Sequence, residues 1–521
     1  MNDRSAIGIS CDVAVIGSGF GGAAVACRLA QAGRSVVVLE QGKEYPTGRG
    51  EVDVIGHGIN TVRHGHFWVD IGVGMNVVRG IGVGGGSLHY FGVRLRTDEK
   101  IFRNPRWPRS INRATLNPYY DIAGDMLKAS PVAPNPVLGL PKHGEAFLAA
   151  ASNCRRCKKD SPTYVPLAVH TVSEPMMTPA GVPQTRCVFC GECIIGCPPS
   201  QSFVGNVNAR ELLTLNYLAV ARKAGASVYP LHRVNLIRQS ADGFEVDLKV
   251  LSFDTMVEED EIFQSGTVRA RQVVVAAGTM GSVEILLKSK LQGALPQLSD
   301  RLGHYFSGNG DFLIPKTINT AQDLQPKAGP TITAGADFST EDLSIYIEDL
   351  GVIPFAEAIM GTRALTVTTP DPHQLGYLGM GSDAANGVLR LHNGRIRLFW
   401  DPTDSLPLYR EMTACMKELS QQLSGDYAKP ETYNPVIGTG LITAHPLGGA
   451  VVSDNASEGV VNPQGEAHGV PGLFVADGSL IPTALATNPS YTISALAERV
   501  AFWMIHGREM KGGDKNLPRN S

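Results

Sequence analysis

Residues 11–42, CDVAVIGSGFGGAAVACRLAQAGRSVVVLEQG, read as strand, glycine turn, helix and second strand. Residues 13–16 are apolar at every position, so both faces are buried, as in a central strand of a parallel sheet. Gly17, Gly19 and Gly22 follow as G-x-G-x-x-G. The first allows the turn, the second lets backbone meet a pyrophosphate, and the third lets the helix lie close to the strand. The pattern predicts a helix over 22–31, with Gly33 placed to stop it. The second strand ends on Glu40, 18 residues past Gly22, where a carboxylate can bind both hydroxyls of an adenosine ribose. That charge would repel the extra phosphate of NADP, so the unit points to NAD or FAD and does not separate them.

The remaining composition bounds the partners. At 521 residues the chain has room for two or three domains. With 43% hydrophobic and 18% charged residues it matches a folded enzyme, not a disordered chain. A net charge of −3 gives no electrostatic basis for binding nucleic acid or an anionic membrane. No apolar run is long enough for a transmembrane helix, and the first ten residues lack a secretory apolar stretch, so a cytoplasmic location is expected. Nine cysteines then read as thiols or ligands, not as a disulfide framework.

Four further segments separate the two dinucleotides: RGIGVGGGSLHY at 79–90, VVVAAGTMGSVEILL at 273–287, HPLGG at 445–449, and GLFVADGSLIPTALATNPSYTISALAERVA at 472–501. With the N-terminal unit, and in the same order, they resemble the glucose–methanol–choline (GMC) family of FAD-dependent oxidoreductases, and within it the cholesterol oxidase-like group. The resemblance spans nearly the whole chain. It implies FAD, an α/β fold with a Rossmann-like parallel-sheet domain and β-meander, and an α+β substrate domain with an antiparallel sheet. It also implies oxidation of an alcohol to a carbonyl by hydride transfer to the flavin. The cofactor contacts it implies are Gly17, Gly19, Phe20, Gly22 and Glu40 in the first unit, and Gly84, Gly85, Gly86 and Ser87 in the glycine-rich turn. Val234, Ala277, Gly278, Asp477, Gly478, Asn488 and Pro489 complete the set.

The residues themselves agree with this. Residues 244–252 alternate with period two, like a meander leading back into the sheet. Asn488 and Pro489 stand at the mouth of an apolar-periodic helix whose amide-rich start favours negative charge on a reduced cofactor. One departure is visible: many relatives carry an asparagine shortly after the glycine turn, and this chain reads His89-Tyr90-Phe91-Gly92.

Oxidising an alcohol requires a group to take the hydroxyl proton, a fixed carbinol carbon and exclusion of water. His445 and Asn488 match the family's His/Asn pair. His445 would orient the hydroxyl and help remove its proton, and Asn488 would hydrogen-bond the substrate oxygen. For the acidic residue that cholesterol oxidases hold over the site, Glu357 is the candidate by its interval from a proline, with Glu348 and Asp349 competing.

The expected organisation is an FAD domain from 1–100, 200–311 and 432–508, a linker and cysteine-rich segment at 101–199, a substrate domain at 312–431, and a flexible tail at 509–521. Within the linker, Cys187, Cys190, Cys193 and Cys197 are spaced C-x-x-C-x-x-C-x-x-x-C-P, the ferredoxin run for an iron–sulfur cluster. Cys154 and Cys157 add a second C-x-x-C, so a zinc site built with Cys187 and Cys190 is a second reading, and plain thiols a third. The substrate expected is a sterol or other bulky hydrophobic secondary alcohol, with oxygen or an electron carrier as acceptor. The alternatives are a dehydrogenase of a sugar or smaller alcohol that passes electrons through a cluster, and a non-catalytic iron–sulfur/flavin redox protein.

Overall fold

The computed structural model describes residues 6–45, 67–174, 176–191, 193, 197, 208–251, 262–314, 320–351, 371–425 and 441–510. The opening unit forms as its pattern predicts. Strand Ser10–Ile16 leads into helix Phe20–Gln31, which starts two residues earlier than expected, and Gly33 (φ +79°) ends it. Strand Val36–Leu39 follows, buried throughout.

Around these strands a seven-stranded sheet is built among the described residues. Ser10–Ile16 lies parallel to Val36–Leu39 on one side and to Ile262–Val275 on the other, and Val36–Leu39 is parallel to Ser227–Tyr229. The long strand Ile262–Val275 shares one edge between two partners. Its earlier part pairs antiparallel with Gly243–Leu251, which pairs in turn with His232–Ser240. Its last three residues pair in parallel with Leu473–Val475. The alternating burial of Gly243–Leu251 is that of a meander with one covered face.

The parallel register aligns Ile16 with Leu39 and Val275, and Val275 with Val475. The ladder continues past the strand ends: Gly17 N–H donates to Leu39 O, Ala276 N–H to Ile16 O and Ala476 N–H to Val275 O. Gly17, Glu40, Ala276 and Ala476 therefore stand side by side at the carboxyl edge, where open α/β sheets bind ligands.

Helix Phe20–Gln31 fits against this edge because it lacks side chains there. A Cβ on Gly21 would lie 1.8 Å from Ala476 O, and one on Gly22 2.0 Å from Gly17 O. Further along, Arg28 forms a buried bidentate ion pair with Glu498 of helix Ser490–His506, and the Tyr217 hydroxyl donates to the same carboxylate at 2.6 Å.

A second, antiparallel sheet runs in the order Phe312–Ile314, Gly376–Gly381, Ile345–Leu350, Ala334–Asp337, Thr163–Tyr164. Helix Leu406–Gln422 covers it with Leu408, Met412, Cys415, Met416 and Leu419, spaced three and four apart. Gly379 and Gly381 make room for Met412 and Met416. Glu348 and Asp349, adjacent on one strand, face opposite sides: Asp349 meets His143 of helix Lys142–Asn153 at 2.6 Å, and Glu348 meets Asn488. A third sheet joins Phe67–Asp70, Asn76–Gly80 and Ile442–Thr443, and brings the chain to His445. At the far end, Glu509 pairs with Arg499, and Met510 N–H donates to the Tyr119 hydroxyl.

Candidate active site

One cavity extends along the carboxyl edge of the larger sheet to the second sheet. Its wall includes Gly17, Gly19, Phe20, Glu40, Gly85, Gly86, Val234, Ala277, Gly278, His445, Asp477, Gly478, Asn488 and Pro489. His89, Tyr90, Phe91 and Gly92 also face it, so the departure after the glycine turn forms part of the wall.

Three of the expected contacts are not in that wall. Gly22 packs helix against turn. Gly84 (φ +102°) starts a short 3₁₀ turn, Gly85–Leu88. The Ser87 hydroxyl donates to Gly84 O at 2.8 Å and accepts from Leu213 N–H, locking that turn from behind. Glu357 lies outside the described residues.

The wall suits a dinucleotide. The first helix carries no side-chain cap and no acidic residue in its first turn, so its leading amides face the cavity edge without a protein anion. Gly19 and Gly85 approach so closely that a Cβ on Gly85 would lie 2.8 Å from the Gly19 Cα. Glu40 is held by hydrogen bonds from Ser18 N–H and Oγ and from Gly42 N–H. Burial raises its carboxyl, and these donors oppose the rise. Asp477 is likewise buried and raised. Its oxygens accept from the Ser282 and Ser479 hydroxyls, which tie the end of strand Leu473–Val475 to helix Gly278–Leu291 and leave the neighbouring backbone to form the wall. Helix Ser490–His506 also starts without a side-chain cap or acidic residue.

At the chemical end, His445 Nδ1 lies 2.8 Å from Asp311 Oδ1. The Asp311 carboxylate accepts, so Nδ1 is the donor of this pair and Nε2 is the ring nitrogen left for a ligand. Asp311 is buried and also accepts from Thr443 Oγ1 at 2.9 Å and Ala444 N–H at 3.1 Å, which fixes the turn that presents the imidazole. Two residues upstream, Asn309 accepts from Leu485 and Ala486 N–H and donates to Thr487 O, templating the loop that delivers Asn488. Segment 307–311 thus positions both His445 and Asn488. The sequence pattern missed it; the turn-forming Asn-Gly-Asp at 309–311 was the available signal.

Asn488 Nδ2 donates to Glu348 Oε2 at 3.3 Å. Its own Oδ1 and Glu348 Oε1 are buried without a partner among the described residues, as expected where a ligand oxygen or water belongs. Burial, followed by Asp349 and Asp311 nearby, pushes the Glu348 carboxyl well above the usual carboxylate range, against the Asn488 hydrogen bond. Of the three acids weighed from sequence, Glu348 is the one that reaches the His/Asn pair among the described residues.

The cysteines lie behind this wall. Cys187 is buried in a cluster with Val78, Leu378 and Ile442, Cys197 packs against that cluster, and the Cys187 thiol is raised by burial and then by Cys193, Cys197 and Cys190. Cys154 and Cys157 pack in a different cluster, beside Cys415, so the zinc reading with Cys187 and Cys190 does not assemble. Among the described residues no group of three or more Cys, His, Asp or Glu converges closely enough to hold a metal. No helix among the described residues is long and apolar enough to cross a membrane.

Comparison with known proteins agrees with this architecture. A family model described as GMC oxidoreductase matches residues 372–497, and one described as an NAD(P)-binding Rossmann-like domain matches 15–76. The chain is 27% identical over 560 residues to a cholesterol oxidase of Mycobacterium tuberculosis, covering 95% of this chain and 91% of that one. It is 26% identical to a cholesterol oxidase of Acinetobacter baumannii, covering 95% and 94%. The solved pyridoxine 4-oxidase from Mesorbium loti superposes with a TM-score of 0.64 at 17% identity, over 96% of this chain and 100% of that one. With the dinucleotide cavity and the paired sheets already in place, these likenesses support a GMC-type, FAD-binding oxidoreductase that acts on alcohols and is similar along most of its length to cholesterol oxidases.

Proposed function

We propose that this enzyme oxidises a sterol or other bulky hydrophobic secondary alcohol to the ketone. The observation that carries the reading is the convergence of His445, backed by Asp311, and Asn488, backed by Glu348, at one end of the FAD cavity. FAD, when bound, supplies the acceptor for the carbinol hydride. His445 Nε2 takes the hydroxyl proton, and Asp311 stabilises the imidazolium that results. Asn488 holds the substrate oxygen and Glu348 keeps the amide oriented. Asp311, Asn488 and Glu348 are buried, and His445 is part-buried beside them. The apolar wall of Phe91, Val93, Leu313, Leu378 and Ile442 suits a hydrophobic substrate, in keeping with the two cholesterol oxidase relatives.

Screening sterols, long-chain alcohols and sugars with an artificial acceptor, with and without oxygen, tests the substrate class and the acceptor together. Turnover of sugars alone would overturn the sterol reading. His445→Gln should retain FAD and its visible spectrum while kcat falls by about 10² to 10⁴. Unchanged kcat would remove His445 from the mechanism. Cys187, Cys190, Cys193 and Cys197 are a separate proposal as cluster ligands, and assays of iron and sulfide on protein purified without air decide it.

A further inference from the structure

Among the described residues Arg94 is a buried cation without an ion-pair partner. It is 4% exposed; Nη1 donates to Ser490 Oγ at 2.8 Å and Nη2 to the Tyr90 hydroxyl at 3.3 Å, while Nε has no partner. Its guanidinium carbon lies 4.9 Å from the Phe20 ring centroid and 5.0 Å from that of Tyr90. Phe20, Tyr90 and Ser490 all line the FAD cavity, so the charge stands one side chain behind the wall. Among the described residues no carboxylate forms an ion pair with it.

Its surroundings add to the positive charge. Arg210, 1% exposed, sends its donors to the carbonyls of Ser87, Leu88 and Cys193, and its guanidinium lies 5.1 Å from the Tyr90 ring. The start of helix Ser490–His506, with no acidic residue in its first turn, points the same way. Glu211 is the acid that feels Arg94, and burial pushes its carboxyl up to about 7, which weakens it as a counter-charge. Burying an uncompensated guanidinium is costly unless an anion faces it.

We propose that Arg94 is a positioning charge for the cofactor: by facing the negative charge that reduction leaves on the isoalloxazine ring, it raises the reduction potential of FAD. The charge balance is simple. The alcohol carbon gives up a hydride, two electrons and one proton, to a neutral ring system, which leaves one negative charge there; the hydroxyl proton leaves separately to His445. The Phe20 and Tyr90 rings stand between the guanidinium and the cavity, and apolar rings screen a charge less than water does. The other anion within reach is the pyrophosphate, since Phe20 opens the first helix. The inference rests on the cavity holding FAD and not on which alcohol is oxidised, so its test needs no substrate.

Arg94→Met and Arg94→Lys holoenzymes are compared with the parent for FAD dissociation constant, two-electron midpoint potential and affinity for sulfite, which adds to the flavin as an anion. In Arg94→Met the reduction equilibrium constant should fall about tenfold, which is about 30 mV for a two-electron couple. Sulfite should bind correspondingly more weakly, FAD affinity should hold, and Arg94→Lys should stay near the parent. An unchanged potential in Arg94→Met overturns the proposal, as does weakened FAD binding with the potential intact, which would assign the charge to the pyrophosphate. If Arg94→Met does not fold, Arg94→Gln, which keeps a donor for Ser490, gives the same readouts. Failure of both neutral variants while Arg94→Lys folds would make the charge structural and overturn the proposal.

Discussion

Glu211 illustrates how a single buried carboxyl acts on this fold. It has no exposed surface, one oxygen accepts from Asn216 Nδ2 at 3.3 Å, and desolvation outweighs Asn216, Lys128 and Arg94 to push it up to about 7. The folded value lies above the unfolded one, so its contribution to stability is complete below the unfolded carboxyl range and is lost as pH rises through about 7. The loss amounts to about 3 kcal/mol. Denaturant unfolding from pH 4.5 to 8 should show this decline in the parent and a flatter profile in Glu211→Gln; parallel profiles would show that the carboxyl does not titrate in this window. At the same scale, His445 and Asn488 were readable from sequence because HPLGG and T-N-P are local patterns. Asp311 was not, and Glu348 was weighed only as a competitor of Glu357, because the two meet those residues across 134 and 140 positions of chain. The interval from a proline favoured Glu357, whereas strand pairing brings Glu348 to Asn488.

Among the elements, segment 307–311 has a larger effect than its length suggests. Asn309 sits at φ +58°, a left-handed position asparagine tolerates, and its side chain satisfies three backbone groups of 485–487. Asn309→Ala leaves the Leu485 and Ala486 amides unsatisfied, at about 1–3 kcal/mol each. It should lower the unfolding midpoint and kcat together, because Asn488 loses its support. Asn309→Asp keeps the acceptor and should recover part of both; equal defects in the two variants would mean that the carbonyl contacts are not what matters. Secondary structure was largely readable here. Helix Phe20–Gln31 and helix Ser490–His506 announce themselves by apolar spacing and glycine or proline at their ends. Segment 307–311 has no such periodicity, so its role is visible only through the distant loops it holds.

For the whole molecule, the cofactor cavity draws its wall from stretches hundreds of residues apart: the turn at 17–20, Glu40, the strand end at 276–278, and the loop from Asp477 to Ser490. A ligand bound across all of them binds the folded state alone. Removing FAD should therefore lower the melting temperature, and restoring it to 100 times its dissociation constant should return about 2.7 kcal/mol of stability. Identical melting with and without FAD would show that the wall is stable unaided. The sequence by itself determined the strand–turn–helix–strand unit, the glycines that admit a dinucleotide, the meander, and the His/Asn candidates. Each of these is written in the spacing of neighbouring residues, and burial along one element imposes that spacing. Tertiary structure alone decided which carboxylates back those residues, which glycines face the cavity and which face protein, and where the buried arginines point. Those outcomes depend on sheet register and on how the two sheets meet, and local periodicity does not encode either.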